Sequence, residues 1–157
     1  MRLKELLEYD NIVIQCHDNP DADAMASGLG VYCYLKDKGK QVRLIYGGKF
    51  KVQKTNLLLM IEELDIPIEY VETLEEPDML VTVDCQYGQG NVTCFPAKEV
   101  AVIDHHQLAG ELPKLNEVRS NIGACSTVVR ELLLLEGIDA ATEKRLATAF
   151  YYGLMTD

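Results

Sequence analysis

Three groups of Asp and His residues in this chain carry the side-chain chemistry of ligands for a hard divalent metal ion. Each group directly follows an apolar run of sequence. The groups are His17, Asp21 and Asp23; Asp84; and Asp104, His105 and His106. Imidazole and carboxylate ligands without thiolate suit Mn(II), and also Mg(II), Co(II) or Zn(II). The residue types therefore predict a metal centre.

The apolar runs before these groups predict buried β-strands, because they are nearly continuous and rich in β-branched residues. The runs are 12–16, 79–83 and 100–103. Ligand sites in parallel α/β sheets form beyond the carboxyl ends of the strands. Taken alone, Asp21 or Asp23 would be interpreted as a helix cap, and Asp84 as part of an Asx turn. Their joint occurrence at successive strand ends favours one metal-bearing edge of a sheet.

Predicted helices alternate with predicted strands along the rest of the chain. The helices are predicted over 3–9, 24–38, 52–64, 126–135 and 143–152, and further strands over 42–46 and 66–71. Thr142 is the expected N-cap of the last helix, and Pro67 restricts the last of these strands to a sheet edge. The alternation predicts an α/β fold with three layers, in which helices flank a mainly parallel central sheet.

Two glycine-containing segments lie near the predicted strand ends. The small residues Ala24, Ala26, Ser27 and Gly28 keep the first turn of a predicted helix thin, so that a phosphate can approach its backbone N–H groups. The segment Gly47-Gly48-Lys49 is interpreted as a turn.

The composition favours one globular domain with a hydrophobic core. The chain has 157 residues, 48% of them hydrophobic and 25% charged,. A formal net charge of -10 argues against a broad basic surface for duplex nucleic acid,. The first residues lack the apolar segment of a signal peptide, and no apolar run approaches the roughly 18 residues of a membrane span.

The cysteine pattern favours a reduced, cytoplasmic protein. Five cysteines form no CxxC motif, which argues against a zinc ribbon or a disulfide framework,. Cys16, Cys85 and Cys125 adjoin the candidate site segments, and their expected role is that of small buried apolar side chains.

The ordered set of motifs resembles the DHH-family phosphoesterases over nearly the whole chain. The resemblance rests on His17-x-x-Pro20-Asp21-x-Asp23, Val83-Asp84, Val102-Ile103-Asp104-His105-His106, Gly123-Ala124-Cys125-Ser126-Thr127 and Gly153-Leu154-Met155-Thr156-Asp157. Within that family the pattern is most similar to the bacterial branch of oligoribonucleases and 3'-phosphoadenosine 5'-phosphate phosphatases. That branch is related to RecJ-type exonucleases and cyclic-dinucleotide phosphodiesterases.

The resemblance implies two divalent metal ions, with manganese as the first expectation. It implies that one ion is held by His17, Asp21 and Asp84. The second would be held by four residues that include the same bridging carboxylate: Asp23, Asp84, His105 and Asp157.

Further residues have implied roles in catalysis and substrate binding. His106 would face the substrate and contact a phosphate oxygen, while Asp104 would orient a neighbouring histidine and Asp84 would serve catalysis through both ions. Ser126 and Thr127 would offer hydroxyl and backbone donors to phosphate, or would simply cap a helix. The implied substrates are short oligonucleotides or small nucleotide phosphates.

The resemblance also sets expectations about domains and leaves alternatives open. Residues 1–157 correspond to the family's catalytic domain, and the glycine-rich motif of its second, substrate-binding domain is absent from this sequence. Low turnover and self-association into a homodimer are therefore expectations for the chain as it stands. A family-II-type inorganic pyrophosphatase and a noncatalytic metal or nucleotide sensor remain the alternative functions.

Overall fold

A computed structural model describes residues 1–156 and contains a six-stranded, wholly parallel β-sheet. The strands are β1 (Asn11–Cys16), β2 (Gln41–Tyr46), β3 (Ile68–Tyr70), β4 (Met79–Val83), β5 (Glu99–Asp104) and β6 (Leu115–Val118). The α-helices are α1 (Ala22–Asp37), α2 (Thr55–Glu63), α3 (Cys125–Leu135) and α4 (Lys144–Thr156), and 3-10 turns cover Leu3–Glu8 and Ala140–Thr142. The predicted α/β class with a parallel central sheet is confirmed.

The strand order β3-β2-β1-β4-β5-β6 determines where a ligand can lie. From β1 the chain first builds outward through β2 and β3, and then returns to place β4 on the other side of β1. The loops that follow β1 and β4 therefore diverge and leave a crevice at the carboxyl ends of these two strands. His17 follows β1 and Asp84 follows β4, so both lie at this crevice.

The two faces of the sheet are covered by different kinds of structure. Ile12 and Ile14 of β1 belong to the main core, which includes buried residues of all four α-helices. Val13, between them in the sequence, belongs to a smaller cluster with Leu74 and Phe95. This period of two is the alternation expected along a strand. The second face is thus covered largely by connecting segments.

Helices α1 and α4 approach each other closely near the crevice. At Gly153 an added Cβ would lie 3.2 Å from the Cα of Asp23 and 3.3 Å from the carbonyl oxygen of Ala22. Only glycine allows this separation without movement of the α1 backbone. The last turns of α4 are therefore held against the first turn of α1, beside the candidate site.

Three local features differ from the sequence predictions. Strand β6 was not predicted, because its sequence Leu-Asn-Glu-Val lacks a continuous apolar run. Thr142 ends a 3-10 turn instead of capping α4, and Glu143 accepts the N–H of Leu146 at 2.7 Å. The small residues in the first half of α1, expected to admit a phosphate, instead allow close packing on the sheet: a Cβ at Gly28 would lie 2.6 Å from Leu44 Cδ1.

Among the described residues, no helix has the length and apolar content needed to span a membrane.

Candidate metal centre

Asp84 lies at the centre of the candidate site, and its two carboxylate oxygens face different histidines. Oδ2 is 3.4 Å from Nε2 of His17, and Oδ1 is 3.1 Å from Nε2 of His105. Asp84 is 1% exposed and has a left-handed backbone, with φ of 61°. Asp is among the few non-glycine residues found in this conformation. One buried carboxylate therefore connects the ends of β1, β4 and β5.

Both of these histidines are oriented by main-chain carbonyl groups. Nδ1 of His17 lies 2.8 Å from the carbonyl oxygen of Asp18, and Nδ1 of His105 lies 3.1 Å from that of Ile122. A carbonyl accepts only from a protonated nitrogen, so each ring places its Nε2 toward Asp84. Metal-binding histidines are commonly oriented by a hydrogen bond of this kind.

Asp21 and Asp23 lie at the start of α1 and differ in their burial and contacts. Asp21 is the N-cap of α1, accepting the N–H of Ala24 at 2.9 Å, and it also lies 3.7 Å from His17 Nε2. Asp23 is 1% exposed, and its Oδ2 lies 3.6 Å from His105 Nε2. The cap interpretation and the ligand interpretation of Asp21 are therefore compatible.

Asp23 also binds the amino terminus of α3, a contact that its sequence position did not predict. Its Oδ2 accepts the N–H of Cys125 at 2.9 Å, and its Oδ1 accepts the N–H of Ser126 at 2.8 Å. These N–H groups belong to the turn that starts α3 and have no partner within the helix. They are therefore committed to Asp23 in this structure, although Ser126 was expected to offer its backbone N–H to phosphate.

His106 has different surroundings from His105. Its side chain is 53% exposed, against 10% for His105, and its Nδ1 lies 2.7 Å from Asp104 Oδ1. Asp104 is itself buried, and it accepts a hydrogen bond from Gln86 Nε2 at 2.9 Å. The neighbouring histidine that Asp104 orients is thus His106, whose Nε2 remains for a ligand.

Gln86 is a positioning residue that sequence reasoning missed. Besides Asp104, its amide nitrogen donates to the carbonyl of Gln107 at 3.0 Å, and its amide oxygen accepts the N–H of Ala109 at 3.0 Å. It therefore holds the loop after β5 in place. A cavity of about 300 Å³ adjoins this loop and is lined by Gln86, Gln89, Asn91, Asp104, His106 and Gln107, among others.

The pKa values reflect how closely the acids and histidines are packed. Burial lowers the pKa of His17, but the carboxylates of Asp21 and Asp84 outweigh burial and raise it to about 10. The hydrogen bond to Asp84 raises the pKa of His105 to about 9. Burial, and then the charge of Asp84, raise the pKa of Asp23 to about 7. Protonated His17 and His105 supply positive charge beside Asp84, and a proton on Asp23 removes one negative charge from the cluster.

Asp84 itself is held in its ionised form. Burial raises its pKa, but hydrogen bonds from His105 and His17 outweigh burial and lower it to about 2. Burial raises the pKa of the nearby thiols Cys16, Cys85 and Cys125 well above the ordinary range, so they stay protonated. The ionised donor at the centre of the cluster is therefore a carboxylate and not a thiolate.

The donor set fits divalent metal ions. Two groups of side chains have ligand atoms within 4.8 Å of one another, and both include Asp84: one adds His17 and Asp21, the other His105 and His106. Asp23 offers a further ligand atom beside His105, at 3.6 Å from its Nε2. The Nδ1 of His106, 4.0 Å from Asp84 Oδ1, is instead engaged by Asp104. Carboxylate and imidazole ligands are those that Mn(II), Mg(II), Co(II) and Zn(II) share.

We expect the stabilisation by Mn(II) to increase with pH. The pKa values of His17 and His105 lie above the unfolded value of about 6.5, so their stabilising effect is complete below that pH,. The stabilising effect of His105 is lost as the pH rises through about 9, and that of His17 as the pH rises through about 10. The corresponding effect of Asp23 is lost as the pH rises through about 7. The metal-free protein should therefore become less stable over this range, while metal ions compete with fewer protons.

Thermal unfolding with Mn(II) and with a chelator measures this dependence. The rise in melting temperature on adding Mn(II) should be larger at about pH 8.5 than at about pH 6.5. Magnesium-free sodium chloride of equal ionic strength is the control for screening. A rise of equal size at both pH values would show that the ion does not displace these protons.

The remaining candidate residues lie beside this cluster or outside the described residues. Ser126 is 1% exposed, and together with Thr127 it lines a groove of about 320 Å³ between α3 and α4. None of the described metal-ligand candidates lines this groove. Asp157, the fourth expected ligand of the second ion, lies outside the described residues.

Comparison with protein families gives a match over most of the chain. A family profile described as "DHH family, N-terminal domain" matches residues 11–154. The bifunctional oligoribonuclease and PAP phosphatase NrnA of Thermus thermophilus is 31% identical over 147 residues, which are 93% of this chain and 43% of that protein. The chain spans less than half the length of the curated relatives it matches.

Solved structures show the same fold. An exopolyphosphatase-related protein from Bacteroides fragilis superposes with a TM-score of 0.71 at 21% identity, covering 98% of this chain and 49% of that one. The exonuclease RecJ bound to manganese gives a TM-score of 0.50 at 16% identity, covering 94% of this chain and 40% of that one. At these identities the likeness establishes the architecture.

Proposed function

The chain belongs to the DHH family, and on that premise we propose that it is a metal-dependent phosphoesterase acting on short oligonucleotides or small nucleotide phosphates. The observation that carries the proposal is the position of Asp84, whose two oxygens face His17 on one side and His105 on the other. A carboxylate with one oxygen toward each of two ligand groups is suited to bridge two cations.

We propose that the two ions have separate ligand groups that share Asp84. His17 and Asp21 would complete the first group, in keeping with their 3.7 Å separation. Asp23 and His105, 3.6 Å apart, would belong to the second group, together with Asp157. When bound, divalent cations at such a centre activate a water molecule and neutralise charge on phosphoryl oxygens. The RecJ structure with manganese supports Mn(II) as the first ion to test.

Side chains of the protein would hold the phosphate and protonate the leaving oxygen. His106 donates through Nδ1 to Asp104, so Nε2 is the nitrogen available to a phosphate oxygen or to the leaving oxygen,. Its exposure allows contact with a ligand, and Asp104 keeps the ring oriented. The side-chain amides of Gln89, Asn91 and Gln107, which line the adjoining cavity, can donate hydrogen bonds to further substrate oxygens, whereas both N–H groups of Gln86 are already used,.

The relative from Thermus thermophilus, an oligoribonuclease and PAP phosphatase, supports the proposed class of substrates. Because the chain covers 43% of that protein, the proposal concerns the chemistry of this domain. The cavity beside His106 has room for part of a nucleotide, with a volume of about 300 Å³.

Hydrolysis assays with a panel of substrates test the proposal. The chain with Mn(II) should release product from a short RNA, from 3'-phosphoadenosine 5'-phosphate or from a cyclic dinucleotide, and a chelator should stop the reaction. Asp84→Asn is the matched control for a contaminating phosphatase. Hydrolysis of pyrophosphate alone would support an inorganic pyrophosphatase instead. Metal binding without hydrolysis of any of these compounds would support a sensor.

A further inference from the structure

A basic segment with an exposed aromatic residue lies next to the candidate metal centre. It connects β2 to α2 and contains Lys49, Phe50, Lys51 and Lys54, here named the KFK patch. The chain has a net charge of -10, yet no Asp or Glu occurs between Asp37 and Glu62. The positive charge of this segment is therefore local and is not part of a generally basic surface.

All four side chains of the KFK patch are exposed. Phe50 is 71% exposed, more than any other large hydrophobic residue among residues 1–156. Water contact with an aromatic ring of this size is unfavourable, and an isolated phenyl face beside cations is suited to stacking with a planar group. Packing within the described part of the chain therefore does not account for an aromatic residue at position 50.

The lysines of the KFK patch lack acidic partners within residues 1–156. No carboxylate lies within 4 Å of their ammonium groups in that part of the chain, and Lys51 lies 5.8 Å from the ring centre of Tyr70. The acid among the residues that line their groove is Asp18, whose Oδ1 accepts the N–H of Thr93 at 3.0 Å. Three like charges within six residues therefore remain available to an anion.

The position of the patch connects it to the metal centre. Strand β2 pairs with β1, so the segment after β2 lies beside the loop that carries His17. Gly48 has φ of 101°, and a Cβ there would lie 2.9 Å from Asp18 Cβ, so the two loops are in close contact. A groove of about 310 Å³ is lined by Asp18, Asn19, Lys49, Phe50, Lys51, Gln53 and Lys54. The groove therefore starts at the residue that follows His17.

We propose that the KFK patch binds the part of a single-stranded oligonucleotide that extends beyond the scissile phosphate, with one base stacked on Phe50 and flanking phosphates near the lysines. This inference rests on the proposed function and adds a preference for substrates longer than one nucleotide. Lysine ammonium groups attract phosphate without geometric selectivity, and every base can stack. Recognition should therefore depend little on sequence.

The size and charge of the patch favour a single strand over a duplex. Stacking on Phe50 requires an unpaired base, which a duplex does not offer. The rest of the surface is acidic in balance, with 25 acids against 15 bases in the whole chain, and would repel the second strand,. The three lysines carry enough positive charge for a short run of phosphates on one strand.

Equilibrium binding of a fluorescent RNA pentamer in chelator tests the patch without any catalysis. Phe50→Leu should weaken binding by roughly fivefold to 150-fold, the range for removal of one stacked base, and Phe50→Trp should restore it. Replacing Lys49, Lys51 and Lys54 by Gln should also weaken binding and make it less sensitive to salt. The slope of log binding constant against log salt concentration should become shallower by about 0.7 for each phosphate that a lysine no longer neutralises. The matched control is Lys38→Gln, because Lys38 also lies over a tyrosine ring, 5.9 Å from Tyr34.

A second measurement separates this inference from the proposed function. Methyl p-nitrophenyl phosphate is a diester too small to extend into the groove, and its hydrolysis with Mn(II) should be equal in the wild type and in all patch variants. If the wild type hydrolyses neither this diester nor any RNA, the proposed function is wrong. The RNA-binding measurement still shows whether the KFK patch binds a single strand. Unchanged RNA binding by Phe50→Leu and by the triple lysine variant would overturn the inference.

Discussion

Asp84→Asn is expected to remove both bound metal ions and to lower phosphoester hydrolysis by roughly three orders of magnitude or more. Asp84 is the residue shared by both ligand groups, with His17 3.4 Å from one oxygen and His105 3.1 Å from the other. The amide keeps the shape of the side chain but removes the charge and replaces one oxygen by an NH₂ group, which cannot bind a cation. Elemental analysis after dialysis, together with turnover of a short RNA, measures both effects.

The substitution is suited to this position because it should leave the fold intact. Asp84 has φ of 61°, and Asn is among the residues that tolerate the left-handed region,. His17→Ala is the comparison variant, since it belongs to one ligand group only and should leave the other ion in place. If Asp84→Asn kept two ions while His17→Ala lost them, the assignment of the bridging carboxylate would be wrong.

His106→Ala is expected to lower turnover by roughly two to four orders of magnitude without loss of either metal ion. The reason is that His106 is exposed and bonded to Asp104, whereas His105 is nearly buried and faces Asp84. A group that positions or protonates the substrate can be removed while the ligand groups remain complete. Single-turnover hydrolysis and metal content of the same preparation are the measurements.

Two further variants distinguish a catalytic role from a structural one. His105→Ala should lose metal from the second group, so it should lower both occupancy and turnover. Asp104→Asn should keep both ions but leave one uncharged acceptor oxygen for two donors, His106 Nδ1 and Gln86 Nε2. It should therefore shift the pH profile of turnover,. Equal loss of metal in His105→Ala and His106→Ala would remove the distinction between the two histidines.

The architecture could be predicted because the strands that carry the site are long apolar runs. β1, β4 and β5 are buried in the sheet, and sequence alone placed each of them to within about one residue. Their parallel pairing then brings their carboxyl ends together. β6 was missed for the converse reason, since its four residues are only partly buried and carry no apolar run.

The contacts around the site depend on tertiary structure and could not be read from residue spacing. Asp23 precedes Cys125 by 102 residues, yet its carboxylate caps the helix that Cys125 begins. The different surroundings of His105 and His106 arise from Ile122 and Asp104, which contact their respective Nδ1 atoms. Gln86 gives no pattern at all, because a buried glutamine is indistinguishable in sequence from an exposed one.

Anomalous scattering from crystals of the protein soaked in Mn(II) tests the central claim most directly. Two manganese peaks are expected, one beside each carboxylate oxygen of Asp84, the first also contacting His17 and the second also contacting His105. The same soak of Asp84→Asn crystals provides the control for adventitious sites. A single peak, or two peaks of which neither contacts Asp84, would contradict a two-metal centre bridged by this residue.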